Sequence, residues 1–142
     1  MCVCGRAVRA RCAECSGSKR KRELELAVRD VLEQHEETRG FAWNARAGNT
    51  AYRPDFLWSF PEACVMLEVD EDAHRAYDKE AERVRERAVA EALGRPVRVF
   101  RLLLPRQATR ECAARSASAL VPTLACRIAE AQDRKKKPAW LE

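Results

Sequence analysis

The chain has 142 residues, of which 46% are hydrophobic and 35% are charged, and its formal net charge is +5. This length favours a single domain, and no apolar run approaches the ~20 residues that a membrane-spanning helix needs. The segment after Met1 lacks the apolar stretch of a secretory signal, so we expect an intracellular protein of the nucleus or cytoplasm. An odd number of cysteines, seven, also argues against a disulfide framework.

The beginning of the chain is rich in cysteine and too short for a core of its own. Cys12 and Cys15 have the CxxC spacing of a zinc knuckle, and Cys2 and Cys4 form a tighter CxC pair. Four thiolates leave no open position on the metal, so a bound Zn²⁺ would be structural. The alternative is a set of reactive or unpaired thiols. The sequence thus predicts three parts, namely a zinc-ribbon-like head (1–18), a main domain (19–134) and a basic tail (135–142).

The first half of the main domain reads as a helix followed by three strands. The helix covers about residues 21–37, with Ser18 as its cap, and the strands cover 41–46, 54–60 and 64–70. Pro61 and Glu62 form the turn between the second and third strands. The helix has apolar residues at helical spacing, which are Leu24, Val28, Val31, Leu32 and His35.

The second half predicts a helix, a strand and a final helix. The first of these helices runs over 77–93 and ends at Gly94, with Ala81, Val84, Ala88 and Ala92 along one face. The apolar run 97–104 is typical of a buried parallel strand. The final helix covers about 109–134, with a kink or break at Pro122. The order α-β-β-β-α-β-α predicts an α/β fold, in which helices flank a mixed four-stranded central sheet on both faces.

The second and third strands carry the most suggestive acidic residues. A symmetric turn between Pro61 and Glu62 places Asp55 directly opposite Glu68, roughly 4.5–5.5 Å apart at Cβ. Asp70 shares a face with Glu68. Like charges so placed destabilise a sheet unless a cation lies between them, and Mg²⁺ prefers such oxygen ligands. A register slip of one residue would move Asp55 to the other face, and an exposed sheet edge without an ion is the alternative.

These residues also carry a family resemblance. The segment 53–56 (RPDF) followed by 67–70 (LEVD) resembles the PD-(D/E)xK signature of restriction-endonuclease-like nucleases, and the order of elements fits that fold. The segment 68–75 is similar to the very-short-patch-repair branch. Further segments resemble uncharacterised nuclease-like proteins of algae and large DNA viruses. The resemblance covers about residues 22–134.

The resemblance implies Mg²⁺- or Mn²⁺-dependent endonucleolytic hydrolysis of phosphodiester bonds in DNA. Asp55, Glu68 and the carbonyl of Val69 would hold the ion. The lysine of the signature is replaced by Asp70, which could add a metal ligand or position the attacking water. The other candidates for catalysis are His74 for proton transfer, Lys79 as a relocated lysine and Glu25 as a carboxylate from the first helix; His74 is equally compatible with a surface loop.

Basic residues predict contacts with a nucleic acid, DNA in preference to RNA. A solubilising tail or a nuclear-targeting patch is the alternative for the basic runs. The missing lysine leaves two other functions open, a catalytically degenerate nucleic-acid-binding module and a zinc-containing protein-interaction domain. The candidate phosphate contacts are Lys19, Arg20, Lys21, Arg22, Arg46, Arg53, Arg75 and Arg83.

Overall fold

The fold comes from a computed structural model that describes residues 13–71 and 79–133, with residues 13–20 described by their backbone alone. The described ranges contain three helices and four strands, in the predicted order α-β-β-β-α-β-α. A short 3₁₀ turn, Glu36–Thr38, follows the first helix. The elements are α1 (Ala13–Gln34), β1 (Ala42–Trp43), β2 (Phe56–Ser59), β3 (Cys64–Glu71), α2 (Lys79–Leu93), β4 (Val97–Leu104) and α3 (Arg110–Gln132).

The four strands form one mixed sheet in the order β1-β2-β3-β4. β2 pairs antiparallel with both β1 and β3, whereas β4 pairs parallel to β3. The hairpin between β2 and β3 closes with a hydrogen bond from the N–H of Phe60 to the carbonyl of Ala63, 3.0 Å long. Phe56 lies opposite Leu67, and Ser59 lies opposite Cys64. This is the register expected from a symmetric turn, so that prediction is confirmed.

Alternating residues of the strands serve two apolar clusters, one on each face of the sheet. On one face, α1 and α3 pack together over Phe56, Trp58, Val65, Leu67 and Val69, which are all almost completely buried. The indole N–H of Trp58 donates to the carbonyl of Thr38 over 3.0 Å, which ties the 3₁₀ turn to this cluster. On the other face, a smaller cluster packs under α2 and contains Leu57, Met66 and Val89.

Several features differ from those predicted, among them β2, which covers only Phe56–Ser59, and α1, which ends at Gln34. α1 begins at Ala13, so Ser18 lies inside the helix and does not cap it; Lys and Arg are good helix formers, and a single glycine costs only about 1 kcal/mol. β1 contains only two residues. α3 continues unbroken through Pro122, held to the sheet by Val121 and Leu124. None of the helices in the described ranges is both long and apolar enough to cross a membrane.

The face of α2 that packs on the sheet is not the predicted one. Val84 is 52% exposed, and Ala81 and Ala92 are exposed as well. Val89 is fully buried instead, with Leu93 beside it. On the same side of α2, Glu82 and Glu86 bind the guanidinium of Arg101 on β4. α2 therefore turns a charged face toward the part of the sheet that carries the acidic residues.

Candidate active site

Three carboxyl groups from three separate elements meet at the end of the sheet where β2 begins. Asp55 directly precedes β2, Glu68 lies on β3 and Glu25 lies on α1. The register of the β2–β3 hairpin, continued by one residue, sets Asp55 beside Glu68. All three residues are buried, with 4% exposure for Asp55 and Glu68 and 6% for Glu25. We refer to them as the acidic cluster.

Asp55 is the centre of the acidic cluster. Its Oδ2 atom accepts a hydrogen bond of 2.8 Å from the backbone N–H of Val69, and its carboxylate is hydrogen-bonded to the side chains of Glu25 and Glu68. Burial raises the pKa of Glu25 from 4.5 to about 8, with further contributions from the hydrogen bond and the charge of Asp55. Burial and the charge of Asp55 likewise raise the pKa of Glu68 to about 7. Both groups are therefore easier to protonate than free carboxyl groups, and a bound proton reduces the repulsion among them.

Two cations approach the acidic cluster from the solvent side. The ammonium of Lys21 lies 3.7 Å from Oδ2 of Asp55, and Nη2 of Arg85 lies 3.0 Å from Oε1 of Glu68. The guanidinium carbon of Arg85 also lies 5.6 Å from the ring centroid of Tyr52, within the range of a cation–π contact. Both cations act to lower the pKa of Glu68, although burial and Asp55 outweigh them.

Asp70 has a different set of partners. Its Oδ2 atom lies 3.4 Å from Nη1 of Arg101, and the other terminal nitrogen of Arg101 binds both Glu82 and Glu86 of α2. Arg101 is the register partner of Glu68 on β4, so this network lies directly beside the acidic cluster. The residue in place of the expected lysine is thus held by an ion-pair network between β3, β4 and α2.

The carbonyl of Val69 lies on the side of β3 that faces β2. In an antiparallel pair, every second pair of opposite residues exchanges both backbone hydrogen bonds. The bond between Phe60 and Ala63 sets this alternation, and the register, continued past Phe56, makes Val69 and Pro54 a pair of that kind. Proline has no N–H to donate, so Pro54 leaves the Val69 carbonyl without a ladder bond from that position. The N–H of Val69 is satisfied by the Asp55 side chain. A backbone carbonyl oxygen that could serve as a metal ligand therefore lies beside the carboxylates.

The donor chemistry of this site fits Mg²⁺ or Mn²⁺, since carboxylate and carbonyl oxygens are the ligands that hard cations prefer. Within the described ranges, no group of three or more His, Cys, Asp or Glu side chains is arranged to hold a metal ion. Glu25 and Glu68 are instead each hydrogen-bonded to Asp55. A cation would have to displace the shared protons to bind.

The remaining candidates lie in several places. Lys79, the first residue of α2, is exposed, as are Arg22, Arg46, Arg53 and Arg83. In the part of the chain that the structure describes, the cations forming ion pairs with the acidic cluster are Lys21 and Arg85. Lys19, Arg20 and Cys15 belong to α1, with only their backbone described. Five further candidates lie outside the described residues, namely His74, Arg75, Cys12, Cys2 and Cys4.

The sequence predicts a phosphate contact for Lys21 and does not indicate a role for Arg85. Lys21 precedes Glu25 by four residues, which places the two side chains on the same face of a helix. That spacing could have indicated a lysine beside the carboxylates. For Arg85, the corresponding indication in the sequence is that Glu82, Glu86 and Val89 lie on the same side of α2 as Arg85.

No protein-family model matches this chain, and no curated protein sequence matches it either. The argument for a function therefore depends on the residues and the geometry described above.

Proposed function

We propose that this protein is a metal-dependent endonuclease that hydrolyses phosphodiester bonds in DNA, and that it is related to the PD-(D/E)xK nucleases. The observation that carries the proposal is the acidic cluster itself. Glu25, Asp55 and Glu68 come from three separate elements, are all buried, and meet beside a lysine and an arginine.

A purely structural role explains this arrangement poorly. Burying several carboxyl groups together costs free energy, because each loses its hydration and the charges repel one another. Apolar residues of similar volume would stabilise the fold more effectively at the same positions. Strongly raised pKa values with identifiable charge partners are characteristic of functional sites. The pKa values of Glu25, about 8, and Glu68, about 7, therefore support an active site.

The chemistry that we assign to the residues follows from their positions. Asp55, Glu68 and the Val69 carbonyl would hold a divalent cation, which supplies positive charge at the scissile phosphate and makes water a better nucleophile. Glu25 would accept a proton from the attacking water after the bound cation has displaced the proton that this carboxyl carries at its raised pKa of about 8. Lys21 can contact a phosphate oxygen while it stays close to Asp55.

The loop before β2 is a second observation in favour of a polyanionic substrate. The N–H of Asn44 donates to the carbonyl of Asp55, and the N–H of Ala47 donates to that of Tyr52, each over 2.9 Å, so this loop is fixed beside the acidic cluster. Arg46 and Arg53, both exposed, lie in or next to the loop. Cations on the surface near the carboxylates would attract the phosphate backbone and bind it in a salt-dependent manner.

The test is cleavage of plasmid DNA, single-stranded DNA and RNA with Mg²⁺ or Mn²⁺, alongside the variants Asp55→Asn and Glu68→Gln. We expect each variant to lose more than about 100-fold in rate, since even residues that only support metal ligands contribute about 10–100-fold. Glu33→Gln, an exposed carboxylate on α1, is the matched control and should retain wild-type activity.

Two outcomes would contradict the proposal. Cleavage that persists in both variants would assign the activity to other residues or to a contaminant. A wild-type protein that binds DNA with a steep salt dependence and cleaves no substrate would instead support the nucleic-acid-binding module. The structural Zn²⁺ proposed for residues 1–18 is tested separately, by measuring the zinc content of the protein and of a Cys12→Ser variant.

A further inference from the structure

We infer that Lys21 and Arg85 are exchangeable counterions of the acidic cluster. In the free protein they neutralise Asp55 and Glu68; when a divalent cation binds these carboxylates, the two side chains turn to the phosphates of a nucleic acid. The inference rests on the proposed function and adds a regulatory property to it. The divalent cation and the nucleic acid must then bind cooperatively.

The exposure of the partners supports an exchange. The Glu68 side chain is 5% exposed and that of Arg85 is 23% exposed, so the carboxylate is interior and its cation reaches the surface. The same holds for Asp55 and Lys21, whose side chains are 6% and 48% exposed. Each long side chain thus has one end at a buried carboxylate and a path to solvent.

The ion pairs of the free protein and a bound divalent cation compete for the same carboxylates. Two protein cations already neutralise part of the acidic cluster, and a divalent ion between Asp55 and Glu68 would be repelled by both of them. Lys21 and Arg85 have rotatable side chains that can leave without unfolding α1 or α2. A phosphodiester then offers each a new anionic partner, and a guanidinium binds phosphate through two parallel hydrogen bonds.

Tyr52 restricts where Arg85 can move. The guanidinium carbon lies 5.6 Å from the centroid of the Tyr52 ring, on the loop that also carries Arg46 and leads to Arg53. A cation–π contact of this kind keeps the guanidinium beside the acidic cluster after it leaves Glu68. The released cation is therefore available at the position where a phosphate would approach the metal.

The consequence is a measurable coupling between two ligands. If the divalent cation strengthens binding of nucleic acid by some factor, nucleic acid must strengthen binding of the cation by the same factor. A permanent ion pair between Arg85 and Glu68 predicts no coupling, since it would hinder the cation and give nothing to the phosphate. In both cases Arg85 weakens binding of the cation to the free protein, and the two possibilities differ in whether Arg85 also strengthens binding of nucleic acid.

The test uses calorimetry of Ca²⁺ binding and fluorescence anisotropy of a labelled DNA duplex, each with and without the other ligand. For the wild type we expect coupling of about fivefold or more. Arg85→Gln should bind Ca²⁺ several-fold more tightly without DNA, bind the duplex more weakly, and lose most of the coupling. Arg85→Lys should retain it. Arg87→Gln removes one positive charge from an exposed position of the same helix and should behave as the wild type.

Lys21→Gln gives an independent measurement, because Lys21 is half exposed and its replacement leaves the core intact. It should shift both affinities in the same directions as Arg85→Gln. Unchanged coupling in both variants, in an enzyme that still cleaves DNA, would overturn the exchange and leave the proposed function standing. A wild type without saturable divalent-cation binding and without cleavage would instead refute the proposed function itself.

Discussion

Replacing Glu25 by Gln should remove much of the pH dependence that the acidic cluster imposes on stability. The pKa of Glu25 is raised from 4.5 to about 8 by burial and by Asp55. Between these two values the folded state binds more protons than the unfolded state, so the free energy of unfolding falls as the pH rises. A pKa difference of one corresponds to about 1.4 kcal/mol, which sets an upper bound of roughly 5 kcal/mol for this residue. The contribution of Glu25 to the free energy of unfolding is smaller than this bound, because Asp55 is hydrogen-bonded to Glu68 as well as to Glu25.

Glutamine resembles the protonated carboxyl at every pH and can donate to Asp55 in the same way. Without divalent cations, we therefore expect Glu25→Gln to match the wild type near pH 5 and to exceed its unfolding free energy by about 2–4 kcal/mol near pH 8.5. Urea unfolding in EDTA, followed by circular dichroism at pH 5, 7 and 8.5, measures the difference. Adding Mg²⁺ at pH 8.5 should stabilise the wild type, because the cation takes the place of the lost protons.

Glu33→Gln removes an exposed carboxylate from the same helix and controls for the change in net charge. Its stability should follow the wild type at all three pH values. If Glu25→Gln and the wild type give parallel stability curves from pH 5 to pH 8.5, then Glu25 is not protonated in the folded state. The acidic cluster would then not bind protons in place of a cation.

Two further substitutions test the framework around the site. Arg101→Met leaves three carboxylates without their shared cation and should cost about 2–4 kcal/mol at pH 7; Arg98→Met, which replaces an exposed arginine on β4, is the control in urea unfolding. Gly48→Ala should lower the melting temperature more than Gly40→Ala. Both glycines have positive φ, but only at Gly48 would a Cβ lie 3.0 Å from a backbone oxygen, that of Ala92.

The parts of the fold that depend on local periodicity could be predicted from the sequence. The tight turn after Ser59 sets the β2–β3 register, and the alternation of apolar residues along both strands allows only one face for each. This is why the positions of Asp55 and Glu68 followed from the sequence. Glu25 was a candidate because the family resemblance implies a glutamate on the first helix, and it lies one position from the apolar stripe of α1.

The parts that depend on how a helix packs could not be predicted in the same way. α2 has three alanines and Val84 on one face and charged residues on the other. This pattern predicts that the apolar face is buried. In the structure the ion pairs of Arg101 and the contact of Arg85 with Glu68 reverse this choice. Periodicity scores hydrophobicity, so it cannot recognise a helix whose inner face is satisfied by charge complementarity.

The same complementarity is an argument about function. Two neighbouring groups of acids lie beside β3, and they differ in burial. The group around Arg101 has one cation on β4 that binds three carboxylates, and these carboxylates are partly exposed. The acidic cluster has two cations, Lys21 and Arg85, but its carboxyl groups are buried, which raises the pKa of Glu25 and of Glu68. The carboxylates around Arg101 keep part of their hydration and those of the acidic cluster have lost it, so a divalent cation would gain most by binding at the acidic cluster, where its preferred oxygen ligands are present.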